Sequence, residues 1–549
     1  MRDRKTTSPD SSARWALLAV AAAIVFVAVL RLRVADIPLE RDEGEYAYAG
    51  RLILEGVPPY GLAYNMKFPG TYYAYALILA LFGRTPWGIH AGLLVVNAAT
   101  TLLVFAVGRR LLGTFAASVA AVSFTFLSLD RWVFGIFAHA THFVVLAVMA
   151  GLLVLLRARN DGRALRLFGG GVLFGLAVLM KQHAVLFVPL GAALALWGGN
   201  REAGRTVRAG TTRVGAFALG TVLPFAVVVS LLAAQGVLGR FWFWTFQYAR
   251  AYVTEVPLSK AFGYLAEGFL YVSTVNLGFW VLGALGLAGL WLTPFDRAAR
   301  MVLTGLLAAS FLATCPGLYF RGHYFILLLP VVALLVGAAT AVARRLLARV
   351  VSGGVALGLA VALPAAAVGC FVVTEREALF SMSTARLSRT IYGSSPFVEA
   401  PQIAAYIKDR TTASDRIAVV GSEPEIYFYA DRKAATGYIY TYALMEPQPY
   451  AERMQEEMIR EIESAHPRFL VFTWIKDSWL AQKESDQGII TWGQRYVRQC
   501  YDPVGIADIL SEDETRFAWD DDVRSYVAAS ENLVYTFRRK NDAPCTVPR

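Results

Sequence analysis

The chain has 549 residues, 56% hydrophobic and only 17% charged, where an ordinary soluble domain has roughly 45–50% and about 25%. That excludes a single water-soluble domain: apolar runs of the roughly 17–25 residues that cross a bilayer recur from Trp15 to Phe371 and then stop. The net charge of +11 is no nucleic-acid signal, because residues 1–371 carry 31 Lys/Arg against 14 Asp/Glu, mostly in short loops, while residues 372–549 carry 21 against 27.

The basic N-terminus (Arg2, Arg4, Lys5, Arg14) precedes an apolar run from Trp15 to Leu30. Arg31 and Arg33 follow it instead of a small-residue cleavage site, which predicts a retained first span with the N-terminus in the cytoplasm. Further spans are predicted at 87–107, 114–129, 141–156, 167–180, 183–198, 214–234, 275–293, 301–318, 323–341 and 351–371. The arms 167–180 and 183–198, parted by a turn at Lys181-Gln182-His183, are near the lower length limit. Arginines at 109–110, 157–166, 201–213, 297–300 and 344–349 keep alternate loops inside by the positive-inside rule. The odd count puts residues 372–549 outside.

In that tail the pattern predicts a helix over 399–410, a strand over 416–421, a helix over 424–430, an amphipathic helix over 446–465 and a strand over 468–473. The expected fold is an α-helical polytopic membrane protein of about 11 transmembrane helices with a C-terminal extracytoplasmic α/β domain. Its expected domains are 1–371, whose first external loop is 33–85, and 372–549. Gly421-Ser422 lacks the full glycine pattern of a phosphate loop and reads as a structural turn. Cys315 and Cys370 read as small apolar packing residues, while Cys500 and Cys545 share the external tail and are able to pair.

The first external loop is the most informative stretch. Asp36, Glu40, Asp42, Glu43 and Glu45 fall within ten residues immediately beyond the first span. Carboxylates at membrane depth are costly to desolvate and point to a water-filled site, while a solvated loop accounts equally well for the local sequence. The histidines are one-sided: His90, His139, His142, His183 and His323 lie near the outer ends of spans, and His466 lies in the tail. Each by itself reads as an interfacial side chain. With Lys181, Gln182, Arg321 and Tyr324 they form a polar layer that suits an anionic lipid headgroup. The rings of Phe241-Trp242-Phe243-Trp244 and Tyr248 read as an interfacial aromatic belt.

Arg41-Asp42-Glu43-Gly44, Lys67-Phe68-Pro69, Gly175 to Gln182 (GLAVLMKQ) and Arg321-Gly-His-Tyr-Phe-Ile-Leu-Leu-Leu-Pro330 occur in an order that resembles the C-type membrane glycosyltransferases. The branch it is most similar to is that of the protein O-mannosyltransferases and lipid A aminoarabinose transferases. The resemblance covers most of residues 15–371, and the tail looks like the external domains of some bacterial members. It implies inverting transfer of a sugar from a polyprenyl-phosphate donor to a glycan, lipid or protein acceptor at the outer face of the cell membrane, with no nucleic acid involved. Asp42 is then the expected general base and Glu43 its orienting partner. Lys67, Lys181, Arg321 and His323 are expected at the donor phosphate, with His139, His142, Gln182 and Tyr324 as additional site residues. His139-Ala-Thr-His142 stands where relatives often carry an acidic residue, which leaves use of a divalent metal open. The competing reading is a transporter or flippase of a lipid-linked or envelope component, which would place charges at mid-span and show internal repeats. A receptor with a membrane anchor ranks last, because eleven spans exceed what anchoring needs.

Overall fold

The computed structural model describes residues 11–161, 163–197, 207–541, 543 and 545–547. Arg2, Arg4 and Lys5 of the basic N-terminus, and Arg201 and Arg205, lie outside them. The chain forms two compact units, one of residues 1–33, 90–228 and 256–381, the other of residues 34–89, 229–255 and 382–549.

The first unit is helical. Among the described residues six helices of the chain are long and apolar enough to cross a membrane: Arg14–Arg33, Pro86–Leu111, Ala140–Arg159, Gly210–Ala234, Gly322–Leu347 and Gly353–Thr374. Leu258–Ser273 and Leu277–Leu292 form a pair bent by 111°, and shorter apolar helices cover Thr114–Leu127, Ala164–Met180 and Gln182–Trp197. The protein is therefore a multi-pass membrane protein. Among the described residues each of the eleven predicted segments is largely helical, the 301–318 segment as Arg297–Thr314, and residue 198 of the 183–198 segment lies outside them. At the expected turn, Lys181 adopts an extended conformation (φ −155°, ψ 130°) between Ala164–Met180 and the 3-10 helix Gln182–Phe187.

Gly322–Leu347 is the hub of this unit, with 94% of its apolar window buried. Lipid tails give no hydrophobic drive for helices to meet, so close backbone approach at small residues does the work. A Cβ on Gly337 would stand 2.3 Å from the Ala116 carbonyl oxygen, and one on Gly286 would stand 1.9 Å from that of Leu335.

The second unit holds a six-stranded sheet made of β1 (Arg416–Val420), β2 (Lys433–Ala434), β3 (Phe469–Trp474), β4 (Tyr501–Ile509), β5 (Thr515–Trp519) and β6 (Leu533–Arg539), in the order β2-β1-β3-β6-β4-β5. β1 pairs parallel with β2 and β3, and the remaining pairs are antiparallel. The helix Ala451–Ala465 buries Met454, Met458 and Ile462, four residues apart on one face, in a core shared with Leu470 and Phe472 of β3. A disulfide joins Cys500 to Cys545.

Residues 34–89 of this unit are not an open loop. They form the helices Arg41–Leu54 and Gly70–Phe82, which meet closely where a Cβ on Gly50 would lie 2.9 Å from the Ala76 nitrogen. The aromatic belt expected at 241–248 is corrected: Phe241, Trp244 and Tyr248 are buried within the unit. Phe241 packs on Tyr60 and Phe68, Trp244 packs on Tyr64 and Tyr438, and the Tyr248 hydroxyl donates to Glu446. Ring burial against other aromatics outweighs the interfacial preference at these positions, and of the four-ring run 241–244 only Trp242 is exposed, at 53%.

Candidate functional site

In the second unit the acidic run becomes the first turn of the Arg41–Leu54 helix. Glu40 caps it, its carboxylate accepting from the amides of Asp42 (3.0 Å) and Glu43 (2.8 Å) that the helix start leaves without intrahelical partners. Asp42 and Glu45, three residues apart, share a helix face, and Lys67 Nζ donates to both at 2.7 Å. Glu45 also accepts from Asn65 (2.8 Å) and from the hydroxyl of Tyr72. Tyr440 contributes its hydroxyl, 3.4 Å from Asp42 Oδ1, and its ring, 5.4 Å from Lys67 Nζ.

Burial disfavours charge on Lys67, but the adjoining carboxylates of Asp42 and Glu45 outweigh it and hold the ammonium above the ordinary lysine value. Burial pushes the Glu45 carboxyl upward against the pull of Lys67. Accessibility separates the three carboxylates. The Asp42 side chain keeps 16% exposure, Glu45 keeps 1%, and Glu43 is fully buried. Asp42 is thus the most accessible of the three. Its observed neighbour on Lys67 is Glu45, whereas Glu43 lies on another face of the helix.

In the first unit four of the expected residues meet. The rings of His139 and His323 stack at 4.5 Å, His323 meets Tyr324 edge-on at 4.6 Å, and Lys181 Nζ sits 4.2 Å over the Tyr324 ring. His183 also packs edge-on against Tyr324, its Nδ1 3.2 Å from the Ala313 carbonyl oxygen. Gly322 makes this fit, since a Cβ there would lie 2.3 Å from the Trp132 carbonyl oxygen. Arg321 lies over the ring of Tyr319 (5.1 Å), His142 is buried in the first turn of its helix, and Gln182 opens its 3-10 turn half-buried. A polar network next to this cluster in sequence was not foreseen. Asp130 accepts from the Trp132 amide and the Asn276 side chain, Arg131 pairs with Glu375 at 3.0 Å, and Arg31 donates to the Ser128 and Gly135 carbonyls. Lone charges beside apolar runs were its signal in the sequence.

The family model for dolichyl-phosphate-mannose-protein mannosyltransferases matches residues 66–244, a stretch that holds Lys67, His139, His142, Lys181 and Gln182. The undecaprenyl phosphate-alpha-4-amino-4-deoxy-L-arabinose arabinosyl transferase 2 of Pseudomonas fluorescens is 28% identical over 242 residues, 42% of this chain. The match spans 40% of that relative's length. The structure of ArnT from Cupriavidus metallidurans bound to undecaprenyl phosphate superposes with a TM-score of 0.58 at 15% identity, covering 96% of this chain and 98% of that one. The chain thus shares the fold of that ArnT structure along nearly its whole length. The apo oligosaccharyltransferase of Archaeoglobus fulgidus superposes with a TM-score of 0.50 at 13% identity, covering 92% of this chain and 74% of its own.

Proposed function

We propose that this protein is a lipid-linked sugar transferase, moving a glycosyl group from a polyprenyl-phosphate donor to an acceptor hydroxyl or amine at the outer face of the cell membrane. The observation that carries the reading is Asp42, a reachable carboxylate fixed by Lys67 on a buried helix, in a chain that shares the fold of ArnT along nearly its whole length. In this reading Asp42 takes the acceptor proton as the acceptor atom bonds to the anomeric carbon and the bond from that carbon to the phosphate oxygen breaks. A single displacement of this kind inverts the anomeric centre. The departing polyprenyl phosphate carries the electron pair, and Lys181, Arg321 and His323 are assigned to its charge. Lys67, expected at the phosphate, is assigned here to orienting Asp42, because its ammonium is already shared by two carboxylates. On the proposed orientation the N-terminus is cytoplasmic and the sheet-bearing residues 382–549 are extracytoplasmic.

The test is transfer by the purified protein in nanodiscs supplied with polyprenyl-phosphate sugars and envelope lipid or glycan acceptors, read by mass spectrometry. Asp42→Asn keeps shape but not basicity, so transfer falls by roughly 10²–10⁴-fold while the protein remains folded. Near-normal turnover by that variant removes Asp42 as the base. Movement of intact lipid across the bilayer without any transfer establishes the transporter reading instead.

A further inference from the structure

Open α/β sheets bind their ligands at the carboxyl ends of their parallel strands. In the second unit that end of β1 and β3 is filled by this chain's own Arg41. The Arg41 guanidinium donates through Nε to the Ser422 carbonyl oxygen (2.6 Å), just beyond β1, and places Nη2 3.6 Å from Glu423 Oε1. Glu423 is itself fixed, its Oε2 accepting from Thr473 in β3 (2.7 Å) and Ser478 beyond it (3.0 Å). Phe397 and Tyr442 each present a ring 5.2 Å from the guanidinium carbon. Both charged groups are buried, Arg41 at 8% and Glu423 at 0% exposure.

One turn further along the same helix, Gly44 rests on the backbone of Glu425, where a Cβ would come within 2.6 Å of the amide nitrogen. Asp42 lies between these two anchors, and Tyr440, from the segment after β2, reaches it directly. A buried ion pair is a poor device for stability, since apolar replacement of both partners is often neutral or better, but it fixes orientation.

We infer that the C-terminal sheet is a positioning device for Asp42: its ligand-binding edge clasps Arg41, and Glu423 is the positioning residue that sets the rotation and depth of the helix bearing the base. The inference rests on the proposed role of Asp42, so its test carries one readout that needs no catalysis. The full-length protein in nanodiscs is compared with Glu423→Met, Arg41→Met and the double variant, by thermal unfolding, by amide exchange over residues 42–46, and by kcat and KM. The single variants leave a buried charge unpaired and melt lower. The double variant regains the wild-type Tm, yet exchanges at least about tenfold faster in the first turn and loses about 10–100-fold in kcat, with KM for donor and acceptor within about threefold. A double variant with wild-type exchange and wild-type kcat overturns the inference, because the pair is then only structural. If the double variant does not fold, Arg41→Lys, which keeps the charge but not the two-pronged grip, is judged by the same readouts. If the wild type transfers no sugar, the proposed function falls and the exchange comparison alone decides the clasp.

Discussion

Glu425 is fully buried next to Glu423, and its carboxyl is held well above the ordinary glutamate value, first by burial and then by that neighbour. The folded form therefore binds this proton more tightly than the unfolded chain. The stability it contributes is complete below the ordinary value of about 4.5 and is lost as the pH rises through the elevated one. Glu425→Gln should match the wild type near pH 4.5, melt higher at pH 8, and show a flatter dependence of Tm on pH; an unchanged slope would locate the titration elsewhere. Gly44 gives a second residue-level test. Gly44→Ala improves helix propensity, yet the Glu425 backbone stands where the new methyl must go. The variant should lose about 1–3 kcal/mol, measured by denaturation, with activity falling more than ordered helix content does.

At the scale of the element, the apolar spans were legible because bilayer length leaves a continuous mark in the sequence. The Arg41–Leu54 helix was legible as an acidic motif but not as a helix, and that obscured which carboxylate accompanies Asp42. On a helix the three-residue spacing selects Glu45, whereas reading along a loop selects its neighbour Glu43. The antiparallel half of the sheet escaped prediction for a local reason. β4 carries Pro503 and Gly505, between which the register with β6 shifts, and such residues interrupt strand periodicity. Arg41 stood in the quoted motif without a role, because its partner Glu423 is distant in sequence and nothing local links them. The Cys500–Cys545 disulfide ties the end of the Gly488–Cys500 helix to the C-terminal segment across 45 residues. On the loop-entropy account such closure is worth about 4 kcal/mol. Cys500→Ser with Cys545→Ser should therefore lower the Tm of the purified protein by several degrees, and reduction of the wild type should reproduce the shift.

For the whole molecule, the proposed orientation rests on the arginines of alternate loops. After mild reduction, a membrane-impermeant thiol reagent should label Cys500 and Cys545 in spheroplasts without opening the membrane. Labelling only after permeabilisation would place the sheet in the cytoplasm and separate it from any outer-face chemistry. The second unit also has a property that no single element displays, for it is assembled from three stretches of chain, residues 34–89, 229–255 and 382–549. The clasp on Arg41 uses the Ser422 carbonyl, made 381 residues later. At roughly 5–20 residues per second, a ribosome needs about 20–80 s to cover that distance. Throughout that interval the helix bearing Asp42 is already synthesised but lacks the groups that hold it. On the proposed role of Asp42, the base is set only after Ser422 and Glu423 have been made, so a chain released before that point carries the helix but not the groups that hold it.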